Sequence, residues 1–272
     1  MNYRHAFHAG NFGDCMKHAL LVWALLSLQR KPTPFAVLDT HAGAGSYDLT
    51  AGPAERTGEW HDGIERLLLN PPAPLVDYVG LVRRIGLYPG SPALIRALLR
   101  STDQLICCEL HPVEARELRR RFAHDRQVAV HHRDAWEALG ALLPPRERRC
   151  LVLIDPPFED PQEFARLASG LATGHARMRN GTFLAWYPIK HRTPVRDFHR
   201  AVRQSGIRDV IVAELCLREP LDPARLNGCG LLLINPPFGF DADGPVILDA
   251  LLQRLSRGES GASAGLTRLV DE

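Results

Sequence analysis

The sequence predicts a doubly wound α/β fold, and three observations carry that prediction. Seven apolar runs of four to seven residues, rich in Val, Ile, Leu and Phe, show little polar alternation, as strands buried on both faces of a mostly parallel sheet do. Between them, apolar residues recur every three or four positions, which marks helices with one buried face. The chain has 272 residues, 45% hydrophobic and 24% charged, enough for one large domain with a substantial core and cramped for two unrelated ones.

The strand candidates, in order, are FAVLD (35–39), QLICCEL (104–110), VAVHH (128–132), CLVLID (150–155), TFLAWY (182–187), VIVAEL (210–215) and GLLLIN (230–235). Helical patterns precede the first strand (14–31) and then fall at 91–100, 112–123, 134–143, 161–172, 193–204 and 244–256, several opening on Ser, Asp, Thr or Pro at cap or first-turn positions. One stretch breaks the rhythm. Residues 48–87 hold two short helical patterns, EWHDGIERLLLN and LVDYVGLVRRIG, and read as a helical insertion after the first strand. The tail GASAGLTRLVDE is polar and reads as a loose end or a short extra strand.

No apolar run is long enough to span a bilayer, and MNYRHAFHAGNFGD lacks the basic, apolar and small-residue succession of a secretory signal, so a cytoplasmic protein with no membrane partner is expected. The cysteines at 15, 107, 108, 150, 216 and 229 form no CxxC pair, which points to buried reduced thiols over disulfides or a zinc site. A net charge of +2 and a pI of 8.3 do not announce a nucleic-acid binder. RELRRRFAHDR (116–126), RERR (146–149) and KHR (190–192) could still give phosphates one basic face, or be solvated helix faces and loops.

Chemistry concentrates where strands end, the place where open α/β sheets bind ligands. After Asp39 comes the small-residue loop His41 to Gly45, in which Gly43 and Gly45 would let backbone approach a nucleotide-like ligand, or simply make a tight turn. The GxGxxG pattern fails at Asp48, against a pyrophosphate cradle. Glu109 ends the next strand, where a carboxylate can accept both ribose hydroxyls of an adenosine. Asp134 follows the third; it could accept the adenine amino group or cap the helix beginning near Ala135. LVLIDPPFED (151–160) ends the fourth, and its echo LLLINPPFGF (231–240) ends the seventh.

Glycine loop, acid, Asp and Asp-Pro-Pro-Phe on successive strand ends resemble the S-adenosylmethionine-dependent methyltransferases, and the last motif resembles their amino-methylating members. The resemblance implies a target amine conjugated to a purine ring, hence a poor nucleophile. Asp155 and the Pro156 carbonyl would each accept one N–H and aim the lone pair at the methyl group. Pro156 and Pro157 stiffen the loop, Phe158 would stack on a flipped-out base, and the transfer needs no metal. In such a sheet the fourth strand lies beside the first, which favours Asp155 over Asn235 as the catalytic group and leaves NPPF as a structural turn or a substrate-side wall.

The blocks YRHAFHAGNFGDCMKH, LDTHAGAGSYDL, AERTGEW, YPGSPALIRALLR, ELHP, LIDPPFE, LAWYP and INPPF, in this order, look like the RlmJ family of bacterial 23S ribosomal RNA adenine-N6 methyltransferases, from the first residues to near Phe240. The resemblance implies a seven-stranded, Rossmann-like class I methyltransferase sheet forming one domain over 1–272, with a small helical subdomain inserted at 48–87. It implies a cofactor site for S-adenosyl-L-methionine lined by His18, His41, Gly43, Gly45, Ser91, Glu109, Asp134 and Ala135. Asp155 would be the catalytic acceptor in the set Asp155, Pro156, Pro157 and Phe158, and Tyr3, His5 and Lys17 would handle the substrate adenosine at the mouth. Phe158 stands where Tyr is familiar and Ala135 where Gly is common. The N-terminal aromatics and cations suit stacking on nucleotides, or belong to a capped first helix.

The expected partner is 23S rRNA, bare or in an early ribosomal particle, met by a monomer. Rival readings are a DNA adenine-N6 methyltransferase, disfavoured by the missing target-recognition domain, and a nonenzymatic RNA-binding module, disfavoured by the intact motifs. A nicotinamide oxidoreductase is weaker still, given the failed GxGxxG. The insertion and the basic clusters are expected to widen the RNA-binding surface.

Overall fold

The structure, a computed structural model, describes residues 5–272. The chain opens with α1 (Phe12–Gln29), β1 (Ala36–Asp39), β2 (Ser46–Tyr47), α2 (Gly52–Thr57), α3 (Ile64–Leu69), α4 (Val76–Ile85), β3 (Tyr88–Pro89) and α5 (Ser91–Leu98). Next come β4 (Gln104–Glu109), α6 (Pro112–Arg121), β5 (Val128–His132), α7 (Ala135–Ala141), β6 (Cys150–Ile154), α8 (Glu163–Arg177) and β7 (Thr182–Ile189). The last are α9 (Arg192–Gln204), β8 (Val210–Cys216), β9 (Gly228–Ile234), α10 (Phe240–Leu255) and β10 (Ser263–Val270).

Eight strands form one sheet in the order β10-β8-β9-β7-β6-β1-β4-β5. The pairings β5-β4, β4-β1, β1-β6 and β6-β7 are parallel, whereas β9 runs antiparallel between β7 and β8. The expected sheet has seven strands; the eighth is β10, the polar tail, which pairs antiparallel along β8 and covers an edge that would otherwise offer unpaired backbone groups. A separate two-stranded pairing of β2 with β3 brackets the helices α2, α3 and α4, so the 48–87 stretch is helical.

Side chains alternate across each strand and feed two cores. Leu151 and Leu153 of β6 join α1, α4, α5 and α10 on one face, while Val152 and Ile154 join α7, α8 and α9 on the other. Only β5 departs from the two-face expectation: it lies at the open edge, and its residues are half-buried or exposed. All six cysteines are unbridged and buried. Among the described residues no helix is long and apolar enough to cross a membrane.

α1 is buried nearly all round, as expected of a helix with layers on several sides. It starts at Phe12, with the Asn11 side chain accepting from the Asp14 N–H at 3.0 Å as its cap. That start carries Asp14, Lys17 and His18 down to the carboxyl ends of the central strands.

Candidate active site

The loop after β1 is the floor of a cleft enclosing about 920 Å³ of empty space, open solvent included, lined among others by His18, His41, Gly43, Ser91, Glu109, Asp134, Ala135 and Asp155. Gly43 has φ 60°, and a Cβ there would stand 2.3 Å from the Tyr47 hydroxyl. Its N–H donates to Glu109 Oε2 at 2.7 Å, while the His111 N–H donates to Oε1, also at 2.7 Å. Burial raises the Glu109 pKa against the opposing effect of those donors. Gly45, with φ 84°, does not line the cleft: it packs against Leu118 behind the loop and serves the turn.

Beneath the loop, Asp39 is fully buried and accepts from Ser91 Oγ at 2.6 Å, so this carboxyl holds Ser91, which itself lines the cleft. Burial pushes Asp39 up to about 7. His18 is also fully buried; Nδ1 meets the Tyr88 hydroxyl at 3.0 Å, and burial drives its pKa down to about 3, which keeps the ring neutral. His41 is likewise held neutral, pushed down to about 4 by burial, and its Nδ1 accepts from the Asp155 N–H at 3.3 Å. Asp134 Oδ1 accepts from the Trp136 and Glu137 N–H groups, the cap expected for α7, and the carboxylate still borders the cleft beside Ala135.

Asp155 follows β6, which pairs directly with β1. Lys17 Nζ donates to Asp155 Oδ2 at 2.5 Å and to Asp14 Oδ1 at 2.8 Å; Asp14 Oδ2 accepts from His5 Nε2 at 2.9 Å and from the Gly10 N–H at 3.0 Å. Lys17 is only 4% exposed and lies between two carboxylates where the clefts meet. Burial opposes ionisation of Asp14, but His5 and Lys17 outweigh it and hold the carboxyl well below its usual range. Tyr3 lies outside the described residues.

On the other side of Asp155 opens a second, larger cleft of about 1710 Å³, again counting open solvent. Pro156, Pro157, Phe158, Trp186 and Lys190 line it, and His5, Lys17, Asp155 and Pro157 border both clefts. Phe158 is propped by Phe164, with ring centres 4.8 Å apart, and by Trp186 at 6.1 Å.

The NPPF motif sits elsewhere. β9 runs against β7, so Asn235 emerges at the opposite rim of the sheet, with φ 49° and Nδ2 donating to Arg179 O and Gly181 O at 2.8 Å each. It is a structural turn, and the alternative of a substrate-side wall is corrected by that strand direction.

Several residues in and behind the clefts escape sequence reading. Asp39 stands out only as a strand end, since its partner Ser91 is 52 positions away. His111, Trp136 and Tyr47 have no local signal. Asp14 has one, its i,i+3 spacing to Lys17 on a helix.

A parallel sheet with an antiparallel strand inserted near one end, a glycine loop after the first strand and Asp-Pro-Pro-Phe after its neighbour define a class I methyltransferase. The family described as "Ribosomal RNA large subunit methyltransferase D, RlmJ" matches residues 32–266, and the chain belongs to this family. It is similar to "Ribosomal RNA large subunit methyltransferase J" of Escherichia coli, 37% identical over 269 residues and 96% of each chain. It is also similar to the Haemophilus influenzae protein of the same name, 35% identical over 264 residues and 94% of each. Among solved structures, protein LPL1258 of Legionella pneumophila superposes with a TM-score of 0.88 at 33% identity, covering 96% of this chain and 98% of the other.

Proposed function

We propose that the chain transfers a methyl group from S-adenosyl-L-methionine to the exocyclic N6 amine of an adenine in 23S rRNA. The observation that carries this reading is the position of Asp155 at the junction of two clefts, one suited to a nucleoside cofactor and the other to an extruded base.

The residues of the first cleft fit that cofactor. Two buried polar atoms on its lining residues, His18 Nε2 and His111 Nδ1, find no hydrogen-bond partner among the described residues, and such atoms call for an outside one. Glu109, braced by two backbone donors, keeps lone pairs for ribose hydroxyls, Gly43 leaves room for close approach, and Asp134 and Ala135 border the adenine end. The bound cofactor supplies an electrophilic methyl group.

The chain's own part is orientation. Lys17 occupies Asp155 Oδ2, which leaves Oδ1 to accept one N–H of the target amine, while the Pro156 carbonyl accepts the other. Phe158, held by Phe164 and Trp186, offers a face for the base, and Asp155 or water takes the proton released after transfer. Purified protein is to be incubated with labelled S-adenosylmethionine and unmodified 23S rRNA, 16S rRNA or adenine-rich duplex DNA, followed by nucleoside identification. Label in N6-methyladenosine from 23S rRNA alone supports the reading; label in DNA, or in no substrate despite cofactor binding, overturns it.

A further inference from the structure

Residues 48–87 contribute nothing to the first cleft, yet they carry the seat on which the N-terminal block rests. Glu59 Oε1 and Oε2 accept from His8 Nδ1 at 2.9 and 3.1 Å, and Oε2 also accepts from Asn11 Nδ2 at 2.9 Å. Around this group, Thr57 Oγ1 donates to Phe7 O at 2.7 Å, and the Arg56 guanidinium lies 5.5 Å from the centre of the Phe7 ring. The Ile64 N–H donates to Gly10 O at 2.8 Å. Gly63 permits that approach, since a Cβ there would stand 2.0 Å from Gly10 O.

From the seat, hydrogen bonds run without a break to the acceptor carboxylate. Asn11 Oδ1 accepts from the Asp14 N–H at 3.0 Å, Asp14 Oδ1 accepts from Lys17 at 2.8 Å, and Lys17 reaches Asp155 at 2.5 Å. The other oxygen of Asp14 holds His5. A contiguous network of this kind can carry coupling, but only a coupling measurement establishes it.

We propose that Glu59 is a positioning residue of the methyl-acceptor site: it seats residues 5–11 on the helical segment and, through Asn11 and Asp14, sets Lys17 and His5 relative to Asp155. The inference rests on the reading of Asp155 given above. It assigns the helical segment to the RNA side of the reaction and leaves the cofactor side untouched.

Wild type, E59Q and E59A are to be compared for kcat and KM on a 23S rRNA fragment, cofactor affinity by calorimetry, thermal midpoint, and hydrogen–deuterium exchange. E59A is expected to raise the RNA KM about tenfold, the scale of one lost charge-assisted hydrogen bond, with cofactor Kd within about twofold of wild type. E59Q, which keeps an acceptor for Asn11, recovers part of the loss. The amides of residues 5–11 should exchange faster in E59A while those of 35–45 do not change. An unchanged KM overturns the proposal, as does a KM that worsens together with cofactor affinity and thermal midpoint. Should wild type methylate no RNA, the reading of Asp155 fails, and equal exchange at residues 5–11 in E59A and wild type overturns the Glu59 seat independently of activity.

Discussion

Lys17 Nζ and Asp155 Oδ2 stand 2.5 Å apart, a hydrogen-bonded ion pair that ties the first helix to the end of β6. Lys17 is 4% exposed and Asp155 15%, and Asp14, 3% exposed, completes the group. Removing one member of a buried pair leaves the other charge without compensation, which costs far more than the pair contributes net. Lys17→Met is therefore expected to lower unfolding free energy by about 3–5 kcal/mol in denaturant titration. A loss below about 1 kcal/mol would show that the two carboxylates find other partners.

Asp155→Asn and Asn235→Ala separate the two Pro-Pro motifs. The first should cut kcat by about 10²–10⁴-fold with cofactor affinity retained, the range typical of a group that orients and deprotonates. The second should leave kcat alone and cost about 2 kcal/mol of stability, because two side-chain hydrogen bonds vanish and alanine must adopt φ 49°. The reverse pattern in single-turnover assays and thermal melts would move catalysis to Asn235.

Asp39 makes stability depend on pH. Burial raises its folded pKa to about 7, whereas an unfolded aspartate titrates near 4. The fold thus binds this proton more tightly, so the contribution is fully present below about pH 4 and is lost as pH rises through 7. The stability of Asp39→Asn relative to wild type should increase between pH 4 and 7 by on the order of a few kcal/mol, then level off. A difference independent of pH in denaturation series would exclude a neutral Asp39.

Gly43→Ala places a methyl group 2.3 Å from the Tyr47 hydroxyl and puts alanine at φ 60°. Left-handed backbone alone costs about 1–2 kcal/mol, so cofactor affinity is expected to drop about tenfold or more in calorimetry. Unchanged affinity would mean that the loop is only a turn.

Reversing charge at Arg119, Arg120 and Arg121 on α6 tests whether this helix meets RNA. Each cation on single-stranded RNA contributes about 0.7 to the slope of log affinity against log salt, so the triple variant should bind more weakly and lower the slope by about 2. Identical affinity and slope in filter binding across salt would remove α6 from the RNA surface.

The frame is legible in the sequence where burial leaves a simple pattern. β6 and β7 are buried on both faces and read as unbroken apolar runs, whereas β10 alternates exposed and half-buried residues along an edge and its signal fades into that of a tail. β2 and β3, at two residues each, leave no pattern at all. The preference for Asp155 over Asn235 needs only strand order. The contacts that assemble the clefts are long-range: Ser91 meets Asp39 across 52 positions, His8 meets Glu59 across 51, and Lys17 meets Asp155 across 138. Lys17 is given to the substrate by the resemblance; its i,i+3 spacing to Asp14 is legible on a helix, whereas its other carboxylate, Asp155, lies 138 positions away and is not.

The packing of α1 sets a schedule for the chain's own synthesis. Trp23 Nε1 donates to Asp243 Oδ2 at 2.9 Å, the Trp23 ring lies 5.2 Å from Phe240, and Met16 Sδ lies 3.2 Å from Cys229 Sγ. The helix that bears Lys17 and His18 thus emerges from the ribosome long before its partners on β9 and α10 exist. At about 5–20 residues per second, that interval is on the order of ten to fifty seconds. Until it ends, α1 has no cover for its far face, so the helix that bears Lys17 and His18 reaches its final packing only after β9 and α10 have been made.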